Sequence, residues 1–303
     1  MYHVLYNPKS GNGTGLERAK KVRQYLEGKE IEFADVTSIK DMKAYLANLS
    51  DGDAAVLCGG DGTLSRFVSD TYEAVPENID VLFFGTGSGN DFLRDIGKEP
   101  ESEPIDIRPY AKNLPTVTVN GETRVFINGI GYGIDGYCCE VADKMRDGGK
   151  KNINYTSIAI KGLLFHYKPT EAVVTVDGVE NTYHRVWLAP TMNGRFFGGG
   201  MMPTPSQNRL RNDTVSTLVM GGKGRIKTLM VFPSIFKGEH IKHTEMGGVL
   251  TGREVTVKFD RPVALQIDGE TVLNVREYTV RVSEAYTDSK EESKAEEKET
   301  AAV

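Results

Sequence analysis

Over the first hundred positions, apolar residues fall in short continuous runs: Tyr2–Tyr6, Glu32–Val36, Ala54–Cys58 and Asp80–Phe84. Runs of this length fit strands buried on both faces. Between them, apolar residues recur three to four positions apart, which predicts helices over Leu16–Gly28, Ile39–Leu49, Leu64–Glu73 and Asn90–Asp95. Strand alternating with helix predicts a parallel sheet with helices on its faces. The texture changes where prolines stand at 100, 104, 109 and 115. Beyond them strand-like alternation dominates, with turn signals at Asn120-Gly121, Asp177-Gly178 and Asp268-Gly269. Val117–Val119 and Val125–Ile127 flank the first as a hairpin, and two helical stretches, Cys138–Arg146 and Tyr155–Phe165, interrupt the pattern. The expectation is an α/β domain over 1–108 and a mainly antiparallel β-sandwich domain over 109–283. The stretch 288–303 is charged and lacks large apolar residues, so it reads as a disordered tail or a solvated helix.

Three of the strand-to-helix junctions carry glycines and small polar residues. The strongest is Gly59-Gly60-Asp61-Gly62-Thr63, directly after the run Ala54–Cys58. Glycines let backbone N–H groups approach a phosphate closely, and a helix start adds unpaired donors and a favourable dipole. A lone aspartate in such a bed suits Mg²⁺, a hydroxyl proton, or both. The competing reading of Asp61 is a helix cap in a turn. Asn7-Pro8-Lys9-Ser10-Gly11 follows the first run, and Gly85-Thr86-Gly87-Ser88-Gly89-Asn90-Asp91 follows the fourth. Thr14 and Glu17 stand at capping-box spacing. In a parallel sheet the three loops emerge on one edge, where open α/β folds bind ligands.

Other nucleotide signatures fit less well. No Walker-type P-loop is present. A G-x-G-x-x-G occurs at Gly131–Gly136, but Tyr155 and Thr156 stand where an acid would hold a ribose. Asp268-Gly269 between two alternating runs reads first as a type I′ turn.

Composition narrows the classes. The chain has 303 residues, enough for two modest cores, and a net charge of −5, which gives no hint of nucleic-acid binding. Much of that charge lies in 288–303, with six acids against three lysines. Cys58, Cys138 and Cys139 show neither a disulfide framework nor zinc-site spacing. No targeting segment and no run of membrane-spanning length is seen, so a cytoplasmic location is the default expectation.

The three glycine motifs together resemble the nucleotide-site motifs of the diacylglycerol kinase catalytic-domain family, in that family's order and approximate spacing. The family includes bacterial soluble lipid kinases, sphingosine kinases and ceramide kinases. The resemblance continues through Asn128–Asp135, Gly198–Met201 and Ile267-Asp268-Gly269-Glu270, and so covers the chain to about Ser283. It implies an NAD-kinase/diacylglycerol-kinase-like first domain, completed by a strand near 278–288, and a lipid-acceptor second domain.

The resemblance also implies ATP and Mg²⁺, with Asn7, Ser10, Gly59, Gly60, Asp61, Gly62, Thr63, Thr86, Gly87, Ser88 and Asn90 at the nucleotide. Asp268 and Asp61 are rival general bases, with Glu270 nearby on the same side of a strand. The acceptor implied is a lipid alcohol, diacylglycerol foremost, met at the inner membrane surface. Asp135 and Arg195–Phe197 are candidates for the acceptor cleft. Asp61 and Asp213 are the candidate metal ligands. Relatives carry further acids around the second position, where this chain has Gln207 and Thr217, which speaks against a second Mg²⁺ site. An exposed strand edge in the second domain could support a homodimer. Two rival readings are a soluble-acceptor kinase of NAD-kinase type, which shares a Gly-Gly-Asp-Gly loop, and a non-catalytic lipid- or nucleotide-binding regulator.

Overall fold

The computed structural model describes residues 1–283 apart from 88, 151, 152 and 212. Ser88 and the tail 288–303 therefore lie outside the described residues. Strands β1 (Tyr2–Tyr6), β2 (Ile31–Asp35), β3 (Ala54–Gly59), β4 (Asp80–Gly85) and β5 (Ile105–Asp106) form one sheet in the order β2-β1-β3-β4-β5. All its pairings are parallel except β4 with β5. β3 is central and buried along its whole length, which explains its unbroken apolar run.

Among the described residues a second, antiparallel sheet contains β6 (Thr116–Val119), β7 (Glu122–Val125), β8 (Gly129–Tyr132), β9 (Thr170–Val176), β10 (Val179–Val186), β11 (Thr191–Met192), β12 (Val215–Met220), β13 (Gly247–Gly252), β14 (Glu254–Ile267) and β15 (Glu270–Arg281). One core fills its interior around Tyr132, Phe259 and Tyr278, whose rings stack or meet edge to face. Each such ring contributes roughly 1.5–3 kcal/mol by burial.

Helices α1 (Ser10–Gly13), α2 (Gly15–Lys20), α3 (Met42–Ala47), α4 (Asp61–Asp70), α5 (Asp91–Asp95) and α6 (Arg108–Ala111) accompany the first sheet. α7 (Ile134–Asp147), α8 (Tyr155–Lys161) and α9 (Arg225–Val231) accompany the second. The glycines at 131–136 serve this packing: a Cβ on Gly136 would lie 1.9 Å from the Ala264 carbonyl oxygen, and one on Gly131 would meet the Asp135 carboxylate. They let α7 lie directly on β14.

Several expected boundaries shift for identifiable reasons. The helix expected over Leu16–Gly28 is α2, tightened into a 3₁₀ turn over Lys21–Tyr25. Thr14 does not cap it; its hydroxyl donates to the Gly11 carbonyl. α3 starts late because the Asp41 carboxylate caps it, accepting from Ala44 N. Asn120 and Gly121, both at positive φ, make a two-residue turn that starts the return strand at Glu122 rather than Val125. A π-helical turn over Gly162–His166 ends the helical stretch that begins with α8. The strand expected to rejoin the first sheet does not do so over the described residues. Tyr278–Arg281 pairs with Val119–Thr116 inside the second sheet, where the buried Tyr278 anchors it.

Candidate active site

β1, β3 and β4 are parallel neighbours, so the three glycine loops leave from one edge of the sheet. The loops after β3 and β4 touch backbone to backbone. The Gly59 carbonyl accepts from Thr86 N and Gly87 N, and a Cβ on Gly87 would stand 2.3 Å from Gly60 Cα. Only glycine permits this approach. Thr63 packs against Gly59, and Gly62 faces open space. The Asn90 amide donates to the Gly87 carbonyl, while its side-chain oxygen is buried with no hydrogen-bond partner. Asn7 and Ser10 hold their own turn: Asn7 accepts from Lys9 N and from the Ser10 hydroxyl.

Asp61 is the first residue of α4, yet it caps a different helix. Its two carboxylate oxygens accept from Asp91 N at 2.8 Å and Phe92 N at 3.0 Å, at the start of α5. The cap arrives from the neighbouring loop, which rigidly couples the two glycine motifs. Asp91 in turn accepts from Gly199 N at 2.7 Å and pairs with Arg94. The turn Gly198–Gly200, at positive φ throughout, thereby reaches the first sheet's loops.

Asp61, Asp91 and Asp135 line one cavity of about 450 Å³. Burial pushes the Asp61 carboxyl up to about 6, with the Asp91 charge adding to the rise and the two backbone bonds opposing it. Burial likewise raises Asp135 to about 6, against a hydrogen bond from Gln266. Asp91 is raised by the same cause. The far wall is apolar, with Ile134, Ile153, Leu188, Phe197, Met201 and Phe232. Cys138 and Cys139 lie in this wall, their thiols pushed up by burial.

Asp268 also borders the cavity, but its carboxylate is fully engaged. It accepts from Ile127 N at 2.7 Å, Asn128 N and Gly129 N at 2.9 Å each, and the Ser65 hydroxyl at 2.8 Å. Four donors fill the four lone-pair sites of a carboxylate. Asp268 and Gly269 both have positive φ, so the type I′ turn read from the sequence is present as well. Glu270 does not line the cavity; it is 47% exposed and pairs with Arg66 and Arg124.

The structure does not bring Asp213 to Asp61. Asp213 lies outside the cavity wall, 3.8 Å from Arg211. Nearby, the Gln207 amide donates to the Asn193 and Thr214 carbonyls and accepts from the Ser216 hydroxyl. Thr217 donates to the Pro190 carbonyl and accepts from Thr191. The Gln207, Ser216 and Thr217 side chains are neutral and already hydrogen-bonded, so they bring no charge to a divalent cation beside Asp213. Of the acceptor-cleft candidates, Asp135 and Phe197 line the cavity, whereas Arg195 is drawn to Asp95.

Sequence reasoning missed Asp95, Arg209, Asn128 and Gln266. Asp95 is buried between Arg195 and Arg209, and Arg209 also reaches the Ile127 carbonyl and the Asn128 side chain. These contacts join residues about a hundred positions apart and leave no local signal. Asp91 was within the third motif, where its place at a helix start could have marked it.

Phosphate-type loops coupled to buried carboxylates, beside an apolar pocket from a second sheet, define a phosphotransferase with an organic acceptor. The pattern describing the diacylglycerol kinase catalytic domain matches residues 1–116, and that of the YegS C-terminal NAD kinase beta sandwich-like domain matches 128–283. The chain belongs to the diacylglycerol kinase family and is a phosphotransferase with an alcohol group as acceptor. It is 26% identical over 280 residues to the diacylglycerol kinase of Mycobacterium tuberculosis, in strains CDC 1551 and H37Rv, covering 88% of this chain and 87% of that protein. Its fold resembles the crystal structure of a diacylglycerol kinase from Bacillus anthracis str. Sterne, with TM-score 0.62, 17% identity and 94% of each chain covered.

Proposed function

We propose that this chain transfers the γ-phosphoryl group of ATP, with Mg²⁺, to the hydroxyl of a lipid alcohol, diacylglycerol foremost, giving phosphatidic acid. The observation that carries the proposal is a single cavity with buried carboxylates at its glycine-loop end and an apolar wall opposite. Such a lining suits a molecule with a reactive hydroxyl and a hydrocarbon body. Residues 1–108 would serve the nucleotide and 109–283 the acceptor.

Gly59–Thr63, Thr86, Gly87 and Asn90 would cradle the nucleotide, with Asn7 and Ser10 on the adjoining loop. The bare oxygen of Asn90 suits a ribose hydroxyl donor. Asp61 and Asp91 fit a metal that arrives with the nucleotide, because Mg²⁺ takes one or two carboxylates and completes its shell with phosphate and water. Among the described residues, no group of three or more His, Cys, Asp or Glu could hold a metal ion. When bound, the ion would neutralise phosphate charge.

Asp135, on the apolar side, would hold the acceptor hydroxyl. The hydroxyl oxygen bonds to the γ-phosphorus while the bond to the β–γ bridging oxygen breaks. The proton passes to Asp61, and ADP leaves. Asp61 is favoured over Asp268 because each of its oxygens accepts only one backbone N–H among the described residues, whereas the four acceptor sites of Asp268 are already occupied. Among the described residues no helix is long and apolar enough to cross a membrane. A lipid acceptor would be met at a membrane surface, the inner one for a cytoplasmic enzyme.

The test is transfer of label from γ-labelled ATP to lipids in mixed micelles with Mg²⁺, beside NAD and an acceptor-free control. Labelled phosphatidic acid, lost in Asp61→Asn, is the expected result. Label on NAD, or on no lipid at all, would overturn the reading.

A further inference from the structure

We propose that the helical layer formed by α8, the turn Gly162–His166, α9 and the segments Phe232–Lys237 and Glu239–Lys242 is a docking face for an anionic lipid surface. The inference rests on the lipid-acceptor reading above and says where that acceptor would enter. Exposed large apolar residues are ordinary singly, but a cluster rimmed by polar groups marks an interaction site. Of the twelve such residues among those described, seven fall in this layer. Ile226 is 76% exposed, Met230 74% and Phe165 70%.

Ile226 and Met230 stand one turn apart on α9, while Thr228 and Val231 face inward. Arg225 fixes α9 to the segment carrying Phe165: its guanidinium donates to the Leu163 carbonyl and lies over Trp187. The same layer forms the cavity's rim. Tyr155 and Phe236 both line the cavity and are both exposed. The apolar face is thus continuous with the route to the buried carboxylates.

Charge selects the occupant. Residues 155–168 contain no acid, and residues 222–246 contain only Glu239 and Glu245, against seven Lys and Arg in the two stretches together. Both acids are already paired, with Lys242 and Lys227. Lys161, Lys223 and Lys237 are exposed and form no ion pair within 4.0 Å among the described residues. In a chain of net charge −5 this is a local reversal of sign. Apolar side chains ringed by lysines suit the headgroup boundary of an anionic bilayer. Two copies of the face would oppose like charges, which disfavours self-association through it.

The experiment is co-sedimentation of the full chain with phosphatidylcholine vesicles, with and without phosphatidylglycerol, with no acceptor lipid and no ATP. The variants are Ile226→Asp with Met230→Asp, and Lys161→Glu with Lys223→Glu. Ile226→Ser with Met230→Ser is a milder apolar pair should the first melt early. Binding to anionic vesicles is expected to fall about tenfold or more in each, with an unchanged melting temperature. Anionic vesicles bound equally by parent and folded variants, or not bound by the parent, would overturn the proposal. So would variants that split a dimer in gel filtration and still bind vesicles, which would assign the face to a second copy. Face-dependent binding in a protein that phosphorylates no lipid would leave the docking face standing and remove the acceptor reading.

Discussion

The Ser65 hydroxyl donates to the Asp268 carboxylate at 2.8 Å across 203 positions of sequence, tying α4 of the first sheet to the β14–β15 turn of the second. The same carboxylate holds three consecutive backbone N–H groups, those of Ile127, Asn128 and Gly129. Asp268 is therefore a clamp between the two halves of the cavity wall.

Removing the clamp should destabilise the fold. Asp268→Ala strands three backbone donors and is expected to cost about 3–5 kcal/mol, whereas Ser65→Ala costs about 1 kcal/mol. Urea unfolding measures both. An Asp268→Ala protein as stable as its parent would refute the clamp.

Activity and stability should respond oppositely to pH. In the free protein, which kcat/KM reports, burial raises the Asp61 and Asp135 carboxyls to about 6, and a base must be charged to act. kcat/KM should rise about tenfold per pH unit below that value and level off above it. Stability runs the other way. A carboxyl raised in the folded state contributes stability that is fully present below its ordinary value of 3.8 and is lost as pH rises through about 6. Asp135→Asn should accordingly stabilise the chain by about 1–3 kcal/mol at neutral pH, with no gain near pH 4. Melting curves at both pH values decide this, and a gain at pH 4 alone would contradict it.

The buried Asp95–Arg209 pair should be strongly coupled. Both side chains are almost wholly buried, so Asp95→Ala leaves the Arg209 charge uncompensated at a cost of about 3–5 kcal/mol, whereas Arg209→Ala leaves Asp95 paired with Arg195 and costs less. The double substitution should cost far less than the two single losses combined. A double-mutant cycle with additive losses would show that the pair is not coupled.

Chelation should separate activity from stability. The Gln207–Ser216–Thr217 region is satisfied by neutral hydrogen bonds. EDTA is expected to shift the melting temperature by no more than about 1 °C while turnover stops until Mg²⁺ is restored. A large fall in melting temperature would reveal a structural metal.

The first sheet was legible because parallel strands buried on both faces must be short apolar runs, and β3 and β4 begin where the sequence places them. Glycine loops were equally plain, since Gly60 and Gly87 are required by the backbone contact they make. Helix ends were less so: the cap on α3 and the 3₁₀ turn after α2 depend on single local bonds. Asp268 and Glu270 were placed together by spacing, yet one faces the cavity and the other pairs with two arginines in solvent.

Sequence alone determined the order of strands and glycine loops, and hence a phosphate-type edge with Asp61 at its centre. Local residue chemistry sets those features, because a strand's burial and a glycine's freedom are written within a few positions. Tertiary structure decided what each carboxylate does. Asp61 caps α5 rather than its own helix, Asp268 clamps Ile127–Gly129, and Asp135 joins the cavity from a distant helix. Those roles depend on burial and on partners far along the chain, and the folded state alone brings them together.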